Sequence, residues 1–214
     1  ANEASANHTK TRFLANMSHD IRTPINGILG MLTIIDTCRD NKDKMDDCLA
    51  KIDVSAKHLL SLVNDVLDMT KLERDTFTLE SKPFNLDRVC IETAEIVRFQ
   101  AESAGLHVEE EHPDVRNVNL LGSELYLKKI LLNLFSNCIK YNKPGGAIYT
   151  RMRELEHTDD TVTYEFFIRD TGVGMTQDFI DNHLFEAFTQ GDNAARSQYG
   201  GTGLGMSIVA QLVK

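Results

Sequence analysis

Ser123-Glu-Leu-Tyr-Leu-Lys-Lys-Ile-Leu-Leu-Asn-Leu-Phe-Ser-Asn-Cys-Ile-Lys-Tyr141 holds no glycine or proline and repeats large apolar residues at helical spacing. Ser123 is a natural N-cap, and Lys143-Pro-Gly-Gly closes the run, so the stretch predicts a helix over 123–141. Leu131, Leu132, Leu134 and Phe135 take that helix into a core. Asn133 and Asn137 are four residues apart and share a face, and Lys140 lies near it. Amides set among so many apolar residues need partners. One such asparagine is ordinarily part of a satisfied polar network. Two with a lysine and Tyr141 suit a ligand: an amide oxygen can hold a hard cation such as Mg²⁺, and a lysine can meet phosphate as a compact charge.

Downstream, Ala147–Glu154 and Val162–Arg169 read as β-strands joined through the polar turn Glu156–Asp160. The second ends in Asp170-Thr-Gly-Val-Gly174, where glycines allow close backbone approach. A carboxylate at Asp170 can accept a hydrogen bond from an exocyclic amine, which would select adenine. A short helix follows Thr176, and residues 187–202 are polar and aperiodic, a long loop of the kind that is functional or mobile. Gly201-Thr-Gly-Leu-Gly205 then opens a last helix near Leu204, offering free N–H groups to an anion. It is not a Walker loop, for Gly-Lys-Ser/Thr is missing. No βαβ unit surrounds it, so the dinucleotide fingerprint fails too.

Upstream, residues 87–103 predict a helix, Leu106–Glu110 and Val118–Leu121 short strands, and Asp75–Pro83 a linker. The second half is therefore an α+β domain with one layer of mixed or antiparallel sheet and helices on one side. The first half differs. Phe13, Met17, Ile21, Pro24, Ile28, Met31 and Ile35 recur at helical spacing, as do Ile52, Leu59, Leu62, Val66 and Met69 after a polar break at 39–43. Two such segments predict an antiparallel hairpin. Leu60, Val63 and Leu67 widen its stripe beyond a two-helix seam, so a second copy would complete a four-helix bundle. The alternative is that the stripe packs on the rest of its own chain. His19 lies about 200° around the helix from both Met17 and Ile21 and points away from the seam. Pro24 frees the Asp20 carbonyl and predicts a local bend.

The 214 residues carry a net charge of −9, with 42% hydrophobic and 26% charged residues. An acidic surface argues against nucleic acid as the main partner, because phosphate backbones need clustered Lys and Arg. Cys38, Cys48, Cys90 and Cys138 have no Cys-x-x-Cys spacing, which disfavours zinc and suits a reducing cytoplasm. No apolar run reaches the ~18 residues of a membrane span, and no signal peptide is visible.

Phe13-Leu-Ala-Asn-Met-Ser-His-Asp-Ile-Arg-Thr-Pro24 resembles the H box of bacterial sensor histidine kinases. Asn133–Tyr141 resembles their N box, Asp170–Gly174 the G1 box, Leu184-Phe-Glu-Ala-Phe188 the F box and Gly201–Gly205 the G2 box, in the family's order across essentially the whole chain. Asp20 and Asn26 resemble hybrid kinases of that family. The resemblance implies a helical hairpin, a four-helix bundle on dimerisation, followed by an α+β sandwich ATP-binding domain of gyrase/histidine-kinase type. Residues 1–74 would be the dimerisation and histidine phosphotransfer domain, 75–83 a linker and 84–214 the ATP-binding domain. The family's two further strands are lacking after Lys214, so that domain reads as C-terminally truncated.

The roles implied are these. His19 would accept the γ-phosphoryl group of ATP and pass it to an aspartate of a response-regulator receiver domain. Asp20 would hold the other ring nitrogen's proton, and Thr23 would orient water for dephosphorylating a partner. Asn137 would ligate Mg²⁺, Lys140 would touch phosphate and Tyr141 would line the pocket. Asp170, with Gly172 and Gly174, would read adenine. Gly201, Thr202, Gly203, Leu204 and Gly205 would follow the phosphates, under a lid at 187–202 anchored by Phe185 and Phe188. Arg196 would meet the γ-phosphate. Related gyrase-type ATPases carry a Glu four residues before the metal asparagine. Here that position is Asn133, a candidate nucleotide contact that cannot act as a base, so water attack would be slow. A hydrolase and a non-catalytic dimeric scaffold remain the alternative readings.

Overall fold

A computed structural model describes residues 2–38, 41–72, 80–111, 114–187, 189 and 202–213, with backbone alone for 2–16. It divides into two compact units, Ala1–Glu73 and Arg74–Lys214.

The first unit is the helical hairpin. Helix α1 spans Asn2–Thr37 and α2 spans Lys42–Leu72. Asn41 caps α2, its Oδ1 accepting the Lys44 N–H at 3.0 Å. Pro24 is buried inside α1, which remains one helix on either side of it. Cys48, Leu62 and Met69 are the buried residues of α2, and Ile52, Leu59 and Val66 are half-buried along the same seam. The helices come close at Gly27, where a methyl group would stand 3.6 Å from Ser55 Oγ. Burying a side chain such as Leu62 contributes about 1.5–3 kcal/mol. Leu29, Leu32, Leu49, Val54, Leu60, Val63 and Leu67 stay exposed on the single chain, so the stripe is broader than one hairpin can cover.

The second unit runs β1 (Lys82–Asn85), α3 (Leu86–Ser103), β2 (His107–Glu110), β3 (Asn119–Gly122), α4 (Glu124–Lys140), β4 (Ala147–His157), β5 (Val162–Asp170), α5 (Gln177–Asn182) and α6 (Gly205–Leu212). Strands β2, β4 and β5 form one mixed sheet, with β2 parallel to β4 and β5 antiparallel to it. β1 and β3 pair separately as an antiparallel ribbon. β1 begins inside the stretch read as linker. It is only four residues long and opens with an exposed Lys-Pro, so it carries no strand-like run in the sequence.

Val97 and Ala101 from α3, Leu131 and Phe135 from α4, Leu106 and Ile148 make the core, with Phe166 and Ile168 of β5 packed against it. Leu204 and Ile208 are fully buried and α6 packs on α4. Helix α3 is capped by Asn85, and it closes at Gly105, φ +70°, where Leu106 N–H reaches back to Ala101 at 2.8 Å.

The other face of the sheet meets solvent. There the Arg151 guanidinium lies 5.0 Å from the Phe167 ring centre, and that of Arg169 4.7 Å from Tyr149. At the far end of β4 the Glu154 side chain, 7% exposed, accepts N–H groups from Arg116 at 2.8 Å and Asn117 at 2.9 Å, and the Asn117 amide at 2.7 Å. These bonds, the backbone pair first, hold its carboxyl below the ordinary glutamate range.

Candidate functional site

Helix α4 is the spine of the site. Leu131, Phe135 and Cys138 take one of its faces into the core. That packing leaves Asn133, Asn137 and Lys140 on another stripe, all half-buried. Asn133 Nδ2 is enclosed without a partner among the described residues. A buried donor left unpaired is costly, and a ligand oxygen would satisfy it. Lys140 Nζ donates to the Tyr141 hydroxyl at 2.8 Å and lies 4.5 Å from that ring's centre.

Two glycine loops rest on this helix. The first follows β5. Asp170 Oδ1 accepts the Gly172 N–H at 2.8 Å, and the Val173 N–H donates to the Tyr141 carbonyl at 3.1 Å. A side chain at Gly172 would collide with the Tyr141 carbonyl at 2.3 Å, so only glycine allows this approach. Gly174 has φ +70°. Cys138 backs the loop. Burial first, and then the neighbouring Asp170 carboxylate, push its thiol up to about 12, which keeps it protonated.

The second loop leads into α6. Gly203 has φ +66°, and the Leu204 N–H is taken by Thr202 Oγ1 at 3.0 Å. Among the described residues no side chain caps α6, so its first turn offers N–H groups to an anion. A methyl group on Gly205 would stand 3.2 Å from Asn133 Oδ1, which brings this helix start against α4. The Leu204 side chain is 0% exposed in the core, so this position of the loop is held by packing and only its backbone faces a ligand. Phe188, Gly201 and Arg196 lie outside the described residues. Phe185 is exposed.

Among the described residues no three His, Cys, Asp or Glu side chains converge. A cation here would draw most of its ligands from phosphate and water beside an amide oxygen, a donor set that fits Mg²⁺.

His19 belongs to the first unit. Its side chain is 79% exposed, and Nδ1 is 3.1 Å from Asp20 Oδ1. With Nδ1–H donating to that carboxylate, Nε2 carries the free lone pair and turns it outward. Thr23 Oγ1 donates to the His19 carbonyl at 3.1 Å, which fixes the hydroxyl and leaves its lone pairs as acceptors.

Sequence reasoning missed Asn142, Thr171 and Gly146, which meet where α4 ends. Asn142 directly follows the Lys140-Tyr141 pair, which was the only signal for it.

Residues 9–75 match the family model for the His Kinase A (phospho-acceptor) domain, and residues 122–214 that for the histidine kinase-, DNA gyrase B- and HSP90-like ATPase. The sensor histidine kinase GacS of Pseudomonas protegens is 39% identical over 209 residues, 98% of this chain and 22% of that protein. The signal transduction histidine-protein kinase BarA of Escherichia coli is 38% identical over 209 residues, 95% of this chain and 22% of that protein. The chain thus spans under a quarter of the length of these curated relatives. Full-length ShkA in complex with AMPPNP superposes with a TM-score of 0.62 at 29% identity, covering 94% of this chain and 40% of that one. The histidine kinase ThkA, solved with the response regulator TrrA, shares the fold, with a TM-score of 0.63 at 18% identity over 89% of this chain and 56% of that one. With a phospho-acceptor hairpin and an ATPase domain in succession, the chain belongs to the sensor histidine kinases, of which it is the core.

Proposed function

We propose that this chain binds ATP through its second unit, transfers the γ-phosphoryl group to His19, and passes it to an aspartate of a receiver domain. The observation that carries the reading is an exposed imidazole anchored by Asp20, on the same chain as a helix that gathers two glycine loops around paired asparagines.

His19 Nε2 attacks the γ-phosphorus. The N–P bond forms as the bond to the β,γ-bridging oxygen breaks, and ADP departs with that oxygen. Asp20 keeps the proton on Nδ1 and offsets the positive charge that grows on the ring. Transfer then moves the phosphoryl group from nitrogen to a carboxylate oxygen and restores the imidazole. Phosphoryl transfer depends chiefly on positioning and charge stabilisation, which suits a phospho-acceptor supplied by a separate unit. Asp170 accepts the adenine amine, Gly172 and Gly174 let the base approach, and Lys140, Thr202, Gly203 and the α6 N-terminus face phosphate. Asn137 would hold Mg²⁺, which supplies neutralisation of phosphate charge when bound. Asn133 in place of a glutamate base disfavours water as the acceptor. Thr23 orients water when the phospho-receiver is dephosphorylated.

The exposed leucines and valines of the hairpin support a homodimer closing a four-helix bundle. Four free cysteines support a cytoplasmic site, where ATP is at hand. Among the described residues no helix is long and apolar enough to cross a membrane.

Incubation with γ-labelled ATP and Mg²⁺ tests the reading. Acid-labile label on the protein, absent in His19→Gln, is expected. Free phosphate without labelled protein would favour a hydrolase, and the absence of both products would overturn the proposal.

A further inference from the structure

Where α4 ends, the Asp170 loop is tied to it by a second set of bonds. The Thr171 hydroxyl donates to Asn142 Oδ1 at 3.1 Å and accepts the Ala147 N–H at 2.9 Å. Asn142 Nδ2 donates to the Ala147 carbonyl at 3.2 Å, and the Thr171 N–H reaches the same oxygen at 3.1 Å. Asn142 is 7% exposed and Thr171 is half-buried, so the bonds of this polar knot are partly shielded from water and costly to lose. Gly146 makes room for it: a methyl group there would stand 2.3 Å from Asn142 Oδ1 and 2.6 Å from Thr171 Oγ1. The knot joins three pieces of chain, the end of the asparagine helix, the start of β4 and the residue after Asp170.

We propose that Asn142 and Thr171 are positioning residues that set base specificity: their half-buried hydrogen bond holds the Asp170 carboxylate at a set place relative to the Asn137 amide. The inference rests on the nucleotide reading above. Asp170 spends Oδ1 on its own loop, and the Cys138 thiol also hydrogen-bonds its carboxylate, so few of its lone pairs are left for the base. A single acceptor selects an amine over a carbonyl only while its place is fixed. Guanine presents a carbonyl where adenine presents the amine, so a displaced carboxylate loses the gain for adenine and has little to lose for guanine. Misplacing such a group by about 1 Å costs up to about 10²-fold.

The experiment titrates the whole chain with ADP and with GDP by calorimetry, so that no nucleotide is consumed. Thr171→Val keeps the volume and removes the hydroxyl. Its ADP affinity is expected to fall about tenfold while GDP changes by less than about twofold, and Thr171→Ser restores the wild-type ratio. A merely structural role would move both nucleotides together and lower the melting temperature in step. Should Thr171→Val fail to fold, Asn142→Ser carries the same expectation. An unchanged ADP/GDP ratio in the folded variant, or a Thr171→Ser that behaves like Thr171→Val, overturns the proposal. Asp170→Ala separates the two levels. If the wild type binds ADP and Asp170→Ala does not, the nucleotide reading stands whatever Thr171 does. If the wild type binds neither nucleotide, both fall.

Discussion

Gly205 faces Asn133 so closely that one added methyl group would come within 3.2 Å of its Oδ1. Alanine suits a helix better than glycine by about 1 kcal/mol, so Gly205→Ala should not cost stability by propensity alone. The neighbour must yield a few tenths of an ångström, which moves the α6 start off the asparagine helix. Autophosphorylation is expected to fall about tenfold while the melting temperature stays close to that of the wild type. Rate and melting measured on one preparation check this.

The hairpin's exposed stripe makes a second prediction. Leu60 and Leu67 are 61% and 50% exposed and seven residues apart on α2. Leu60→Asp with Leu67→Asp places two charges on the face assigned to the partner copy, and neither faces the seam with α1. If the proposed dimer forms through this face, sedimentation equilibrium should report a monomer for the double variant and a dimer for the parent, with the helical circular dichroism signal retained.

Alkaline pH should weaken the second unit. Burial pushes the Cys90 thiol up to about 11, and burial with Asp170 pushes Cys138 up to about 12, from 9.0. A raised folded-state pKa gives stability that is complete below the unfolded value and is lost as pH rises through the folded one. Stability should therefore decline from about pH 9 towards 11–12. The double variant Cys90→Ala, Cys138→Ala should flatten that limb, although truncation lowers the plateau. Thiol titration at pH 8 should modify Cys90 and Cys138 only on unfolding.

Acid should act through Glu154. Its carboxyl is held low by the Asn117 and Arg116 backbone N–H groups. A depressed folded-state pKa gives stability that is present above the unfolded value and is lost as pH falls through the folded one. Glu154→Gln keeps an acceptor but removes the charge. Its melting temperature should be lower than wild type near neutrality and less dependent on pH below about 4.3, the ordinary glutamate value. Melting curves across the acid range check the crossing.

Much of this was legible in the sequence because periodicity and order carry it. The 123–141 run announces α4 by its apolar spacing, and Ser123 does cap it, accepting the Tyr126 N–H at 3.4 Å. His19 declares its exposure by lying off the seam. β1 escaped because four residues opening on Lys-Pro look like linker until β3 pairs with them. Asn142 and Thr171 escaped for another reason. They are far apart in sequence, short and polar, and their bond has no repeat to betray it. The burial of Leu204 was not legible either, because glycine spacing does not show which apolar member pins the loop to the core.

The solvent face of the sheet bears on handling at high concentration. Phe167 and Tyr149 would together form an adhesive spot on an open β-surface. Arg151 and Arg169 stand over their rings and keep water at that spot, since a guanidinium is charged yet tolerates contact with an aromatic plane. Solubility at this spot thus depends on the two arginines, and replacing both with alanine should raise self-association under crowding.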